Sequence, residues 1–269
     1  MPELPEIHNL ARQMDEELRG RTVGAIEIRQ VKCLNVPVPE FESLVLGKTL
    51  GRSASKGKWV FTDLEPGVTF LLNLGMGGNV VYHKSPETLP AKYNARVYFS
   101  DGSALSIGFW WFGYIHAVKA GDISSHKMTA RLGMDPLSES FTFQAFNALL
   151  EGKRGAIKTV LLDQECIAGI GNVYAQDILF KARLHPNRRI PDIGESERRL
   201  LHRAIVANLK GAAALGGLAY EKDLYDRPGG FKEFLVGYKE GQPCPTCGST
   251  ILKVKTGATA SYVCPSCQK

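Results

Sequence analysis

The spacing of apolar positions changes twice along the chain, and the changes divide it. Ile7, Leu10, Ala11, Met14 and Leu18 recur at intervals of three and four. They predict a helix with one buried face that starts at Pro5, carries Glu6 at its positive end and stops at Gly20. From Arg21 to about Ala120 the period shortens. Thr22–Arg29, Trp59–Asp63, Thr69–Leu74, Val80–His83, Ala95–Phe99 and Ala104–Ile107 are short, β-rich runs, and Asp101-Gly102 is a hairpin turn between the last two. Such runs predict a two-layer β-sandwich or flattened barrel with the leading helix packed on it.

Gly121 to Ser140 lacks periodicity and reads as a linker. Helical spacing returns in Phe141–Glu151, Ile157–Leu162, Val173–Arg183 and Glu195–Leu215. Between two of these helices the glycines of Ile167-Ala168-Gly169-Ile170-Gly171-Asn172 make a tight turn, able to bring backbone N–H groups near a phosphate. Gly216 to Gly241 is glycine-punctuated and polar, and reads as a mobile loop. The class is α+β multidomain, with boundaries expected at 1–133, 134–225 and 226–269. No repeat or low-complexity tract interrupts this plan.

Composition narrows the setting more than the fold. A chain of 269 residues with 44% hydrophobic and 22% charged residues suits a soluble globular protein. It has no apolar run of membrane-spanning length, and its acidic start is unlike a secretory signal, so a cytoplasmic location without membrane attachment is expected. The net charge of +6 is modest, but basic residues crowd Lys181 to Lys210, as at a polyanion site or a solvated helix face.

The cysteines are more informative. Cys33 and Cys166 stand apart, whereas Cys244, Cys247, Cys264 and Cys267 form two Cys-x-x-Cys pairs separated by sixteen residues, the spacing of a four-thiolate zinc ribbon. Disulfide pairing is the alternative in an oxidising compartment. Four thiolates close the coordination sphere, so a single structural Zn2+ is expected.

Met1-Pro2-Glu3-Leu4-Pro5-Glu6 carries candidate chemistry. Removal of Met1 would leave Pro2 as a terminal secondary amine, which can attack a sugar carbon and become an iminium. Glu3, next to it, is a carboxyl able to donate and recover protons. Alone, these residues also fit a capped amphipathic helix with no chemistry attached.

Taken in order, the motifs resemble the formamidopyrimidine-DNA glycosylase and endonuclease VIII family, more closely its formamidopyrimidine branch. The match rests on the first six residues, Lys58 at the head of a strand, Leu162-Asp163-Gln164 through Ile167 to Ala175, and a ribbon ending Cys264-Pro265-Ser266-Cys267-Gln268. It spans essentially the whole chain. The resemblance implies an N-terminal helix on a β-sandwich, a helix-two-turn-helix domain and a zinc ribbon, with damaged double-stranded DNA bound in the cleft between by a monomer. It implies Pro2 as nucleophile at C1′, Glu3 as the acid that protonates the sugar ring, and Lys58 as a phosphate contact assisting proton transfer. Asn172 would hold a backbone phosphate, and Met76 and Phe112 would be wedges filling the space left by an everted base. Core packing is the other reading of Met76 and Phe112.

Where the family has two arginines before the wedge phenylalanine, this chain has Trp110 and Trp111. Indole offers stacking and one donor in place of directional hydrogen bonds, so discrimination of the opposite base should weaken. The alternative is that both tryptophans extend the core. The family's finger arginine, five residues before the third cysteine, falls on Thr259, whose neutral hydroxyl cannot replace a bidentate cation; Lys253 and Lys255 are candidates to compensate. Asn73 also stands for a usual histidine, and Val236-Gly237-Tyr238-Lys239 for a Val-Tyr-Gly-Arg order.

The expected function is a base-excision repair glycosylase and apurinic-site lyase with shifted lesion preference and reduced activity on 8-oxoguanine paired with cytosine. A lesion-binding protein with little turnover is the alternative. A zinc-ribbon factor for single-stranded nucleic acid leaves the first six residues unexplained.

Overall fold

The computed structural model describes all residues 1–269 and divides into two compact units, Met1–Arg131 with Leu215–Phe231, and Leu132–Ala214 with Lys232–Lys269.

In the first unit, α1 (Leu4–Leu18) buries the five apolar positions that predict it. Two four-stranded antiparallel sheets follow. One has the order β1 (Val23–Ile28), β6 (Ala95–Phe99), β7 (Ala104–Gly108), β5 (Asn79–His83). The other runs β2 (Thr49–Lys56), β3 (Trp59–Glu65), β4 (Val68–Asn73), β8 (Tyr114–Lys119). Apolar residues of α1 and both sheets meet in one core, including Met14, Val23, Leu50, Phe70, Val97 and Ile107.

Six of the eight strands fall on the sequence-predicted runs. The two others, β2 and β8, and the short helix α2 (Val38–Val45) have no counterpart there. β2 reads Thr-Leu-Gly-Arg-Ser-Ala-Ser-Lys and has Leu50 but lacks the β-branched and aromatic apolar residues that mark a strand. Polar bonds add to its pairing with β3: Asp15 accepts from the Ser53 N–H at 2.7 Å, and the Ser53 and Thr62 hydroxyls lie 2.9 Å apart across to β3. Part of the expected linker is also structured, as a 3-10 helix over Ala120–Ser125.

Leu215–Phe231, the segment that holds the boundary expected at 225/226, packs with the N-terminal residues. One face of α1 anchors it. Glu6 Oε1 accepts from Leu218 N at 2.9 Å, Gln13 Oε1 accepts from Leu224 N at 3.0 Å, and Glu17 accepts from the Tyr225 hydroxyl at 3.1 Å. The Leu224 carbonyl takes the Tyr82 N–H on edge strand β5, while the Leu224 side chain enters the core. Glycines mark a loop from sequence, but the long-range polar partners that fix this one are spread over more than two hundred residues of sequence.

In the second unit, α3 (Phe143–Leu150), α4 (Ile157–Leu162), α5 (Asn172–Lys181) and α6 (Glu195–Ala214) match the predicted helices closely. Gln164 organises the turn before α5: its Nε2 donates to the Leu162 and Ile170 carbonyls, and its Oε1 accepts from Gly169 N. A two-stranded hairpin, β9 (Leu252–Thr256) and β10 (Thr259–Val263), completes the chain.

Candidate functional site

The amino-terminal corner is built by backbone capping. Pro2 and Glu3 are buried, and Glu3 is the N-cap of α1. Glu6 Oε2 accepts from the Glu3 N–H at 2.8 Å, and the Glu3 side chain accepts from the Glu6 N–H, closing a capping box. Because its other oxygen holds Leu218, buried Glu6 ties the start of α1 to the returning segment. Gly217 makes that approach possible: its φ is +90°, and a Cβ there would lie 2.5 Å from Glu6 Oε1. The segment also delivers Glu221. With Met1 in place ahead of Pro2, Glu221 Oε1 lies 3.7 Å from the terminal nitrogen. Burial, together with the nearby Glu3 charge, raises the Glu221 carboxyl above its ordinary range, although the terminal amine opposes the shift. Sequence reading missed Glu221 because its partner is the chain terminus, far away in sequence.

Lys58 lies in the turn between β2 and β3, immediately before the first residue of β3, and is partly buried. Its carbonyl accepts from Asn73 Nδ2 at 2.9 Å, and Asn73 Oδ1 accepts from Gly75 N at 3.0 Å. Buried Asn73 thus couples the Lys58 turn to the loop carrying Met76. Beside Lys58, the Trp59 ring stacks on Tyr114 and packs against His116 and His126. His116 Nδ1 and His126 Nε2 are 2.8 Å apart, and burial lowers His116 to about 4 and His126 below its ordinary value. At neutral pH the two are therefore an uncharged support for the start of β3.

Met76, Trp110, Trp111 and Phe112 come together as two interlocked loops. The Met76 N–H donates to the Trp111 carbonyl at 2.8 Å, and the Trp110 N–H to the Met76 carbonyl at 3.0 Å. Gly75 has φ +54°, and a Cβ on it would be 2.2 Å from the Trp111 oxygen; one on Gly77 would be 2.5 Å from the Trp110 ring. On this frame the side chains stand out into solvent, with Met76 42%, Trp110 78%, Trp111 64% and Phe112 67% exposed. The core alternative for all four is overturned. The neighbouring Phe109 takes the buried place, packed over Gly113. Glycines in 74–78 and 109–113 were the available signal, but only the bonds between the loops show that they share a frame.

In the second unit, Asn172 opens α5, and its Oδ1 accepts from Gln176 Nε2 at 3.1 Å. Gln176 also donates to the Ala260 carbonyl and accepts from Tyr262 N, joining the start of α5 to the hairpin. Fully buried Lys158 supports the same strand, donating to the Ala260 carbonyl at 2.8 Å and the Ser261 hydroxyl at 2.7 Å; burial lowers its ammonium to about 8. Nothing in the sequence around Lys158 distinguishes it from a surface lysine. Buried Asp177 accepts from the N–H groups of Leu235, Val236 and Gly237, which fixes the chain entering the ribbon.

Thr259 donates its hydroxyl to the Thr256 carbonyl at 3.1 Å, so it serves the hairpin turn. It pairs with buried Thr256, whereas exposed Lys253 and Lys255 pair with Tyr262 and Ala260. By strand alternation the two lysines occupy the opposite face of the hairpin from Thr259. They cannot reproduce a cation in the Thr259 position; on their own face, Lys253 Nζ lies 3.9 Å from Glu240 Oε2.

The four ribbon cysteines gather with all Sγ atoms within 4.8 Å of one another. Cys244 and Cys267 Sγ are 3.8 Å apart, Cys247 and Cys264 Sγ 3.4 Å apart. Both separations are too long for a disulfide and suit a tetrahedron of thiolates, whose edges are about 3.8 Å at a Zn–S distance of about 2.3 Å.

Comparisons with known proteins agree with this layout. Residues 1–108 match the formamidopyrimidine-DNA glycosylase N-terminal domain, residues 132–222 the H2TH domain of the same enzymes, and residues 241–269 the zinc finger found in FPG and IleRS. The four-cysteine ribbon is thus a site for one structural zinc ion. A formamidopyrimidine-DNA glycosylase of Pelotomaculum thermopropionicum is 34% identical over 100% of this chain and 99% of its own length. The crystal structure of MutM (FPG) from Thermus thermophilus superimposes with a TM-score of 0.87 at 31% identity, covering 99% of this chain and 98% of that one. Lactococcus lactis Fpg in complex with DNA containing an N7-benzyl-Fapy-dG superimposes with a TM-score of 0.91 at 26% identity over 100% of both chains. With three family domains in order and full-length relatives above 30% identity, the chain belongs to the formamidopyrimidine-DNA glycosylase family.

Proposed function

We propose that this protein is a base-excision repair DNA glycosylase and apurinic-site lyase that acts on damaged double-stranded DNA through Pro2. The observation that carries the reading is a proline and a carboxylate buried together at the capped start of α1, in a chain whose full-length relatives are named for this activity.

After removal of Met1, the Pro2 nitrogen attacks C1′ of the everted nucleotide. The bond from C1′ to the base breaks, and its electron pair leaves with the base, which takes up a proton. The attacking nitrogen then loses its own hydrogen. Glu3 protonates the ring oxygen as the C1′–O4′ bond opens, and the nitrogen lone pair forms the iminium. The iminium makes the C2′ hydrogens acidic; loss of one of them expels the 3′ phosphate by β-elimination. The same chemistry at C4′ removes the 5′ phosphate when δ-elimination follows.

Lys58 contacts phosphate and assists proton transfer. Asn172, at the positive end of α5, holds a backbone phosphate, and Lys253 and Lys255 add cations from the ribbon. Zinc supplies no chemistry: it holds the ribbon in shape. Met76 and Phe112 fill the space vacated by the base, and Trp110 and Trp111 stack where the family has arginines. Stacking is tolerant of base identity, so the opposite base is read loosely and excision of 8-oxoguanine opposite cytosine is reduced.

Borohydride trapping tests the reading. Protein beginning at Pro2 should become covalently attached to abasic-site DNA, while a form extended at the amino terminus should not. Equal trapping by both forms, or tight binding without cleavage across a lesion panel, refutes it. Strong cytosine selectivity on 8-oxoguanine would refute the loosened opposite-base reading alone.

A further inference from the structure

Forming an iminium from a secondary amine has a requirement that Glu3 does not meet. After attack the proline nitrogen carries one hydrogen and a positive charge. That hydrogen must leave before the lone pair can open the sugar ring, while Glu3 is engaged in giving a proton to O4′. A second group that accepts a proton is needed beside the amine.

We infer that Glu221 is this group: its carboxylate pairs with the mature amino terminus and takes the proton from the Pro2 nitrogen once the bond to C1′ has formed. The inference rests on the Pro2 reading above. Its geometric basis is the Glu221 side chain, 12% exposed, with Oε1 3.7 Å from the Met1 nitrogen, one residue ahead of the Pro2 nitrogen that removal of Met1 uncovers. The placement is built into the loop. Glu221 N donates to the Leu218 carbonyl, the Glu221 carbonyl accepts from Gly229 N, and Leu218 is itself fixed by Glu6.

The charged neighbours fit the role. Lys222, the adjacent cation, is turned to Asp226 at 2.7 Å, and the Glu3 charge raises the affinity of Glu221 for a proton. Burial acts in the same direction, so Glu221 is a stronger base than an exposed carboxylate. In the step, the N–H bond breaks with its electron pair staying on nitrogen, and the proton passes to a Glu221 oxygen. The lone pair then forms the C1′=N bond as C1′–O4′ breaks toward the proton supplied by Glu3. No oxidant or further reactant is required.

Two measurements on the mature, zinc-loaded chain test this. Carbodiimide treatment should join the Pro2 amine to the Glu221 carboxyl with loss of one water, read by mass spectrometry of the linked peptides, and Glu221→Gln should abolish that product. Because only a side-chain oxygen is replaced, Glu221→Gln keeps the backbone bonds of the loop and should melt with the wild type. Its borohydride trapping on abasic-site DNA should slow at least about a hundredfold, the lower range for loss of a general base, with unchanged affinity for DNA containing a non-reactive abasic analogue. Glu221→Asp should recover part of the rate. Absence of the cross-link, or trapping by Glu221→Gln at the wild-type rate, overturns the inference. Failure of the wild type to trap while the cross-link forms would sink the lyase reading and leave the pairing standing.

Discussion

The amino-terminal corner and the aromatic ridge on loops 74–78 and 109–113 belong to the same unit and are built on opposite principles. At the corner Pro2 and Glu3 are buried and neighbouring side chains make the bracing bonds: Glu6 holds both Glu3 and Leu218, and Gln13 holds Leu224. At the ridge the bracing comes from backbone bonds, glycines and the side chains of Asn73 and Asn94, and the side chains of Trp110, Trp111 and Phe112 take no part in it and are left exposed. A side chain that is part of its own scaffold can be altered only at a cost to geometry. One that stands outside its scaffold can be exchanged freely, and this is where arginines of the family pattern have become tryptophans.

The largest effect expected from this contrast is on rate. Glu3→Gln should lower single-turnover cleavage by between about a hundredfold and ten-thousandfold while DNA affinity stays within a few-fold, measured by rapid quench alongside fluorescence anisotropy. A loss confined to affinity would erase the distinction between the two regions. Next is the frame beneath the ridge. Gly75→Val forces a branched residue into positive φ and against the Trp111 carbonyl, and should destabilise the first unit by at least about 1–3 kcal/mol in denaturant unfolding.

The exposed rings themselves should behave differently. Trp110→Ala or Trp111→Ala should leave the unfolding midpoint nearly unchanged yet weaken DNA binding by about 1–3 kcal/mol per ring if each stacks on a base. Destabilisation without loss of binding would place the tryptophans in a structural role after all. The smallest effect tests the hairpin. Thr259→Arg, which restores the cation of the family pattern, should tighten binding to abasic-analogue DNA by about 1.5 kcal/mol, the lower range for a hydrogen bond to a charged group, and steepen its salt dependence.

What could be read from the sequence follows how local its cause is. The α1 stripe, α3 to α6, six strands and the cysteine cluster all announce themselves through spacing within a few residues. β2 carries no such mark because Ser53 and Thr62 join through hydroxyls, which apolar alternation does not reveal. The exposure of Trp110 and Trp111 could not be decided because an aromatic pair beside a strand suits a core or a surface equally, and the choice is made by Gly77 and Gly113 clearing space for the Trp110 and Phe109 rings. Glu221 and Lys158 owe their importance to partners that lie 220 and 102 to 103 residues away, Met1 in one case, Ala260 and Ser261 in the other.

The return of Leu215–Phe231 to the first unit has a consequence for biosynthesis. The edge of β5 stays uncovered and the Glu6 clamp open until the ribosome has released residue 231, although α1 emerges first. Pro2 therefore waits for most of the polypeptide before its surroundings are assembled. A fragment ending at Arg131 would keep both sheets and Pro2 but lack Leu224 in its core, and a nascent chain cannot close the Glu6 clamp before α3 to α6 have been made.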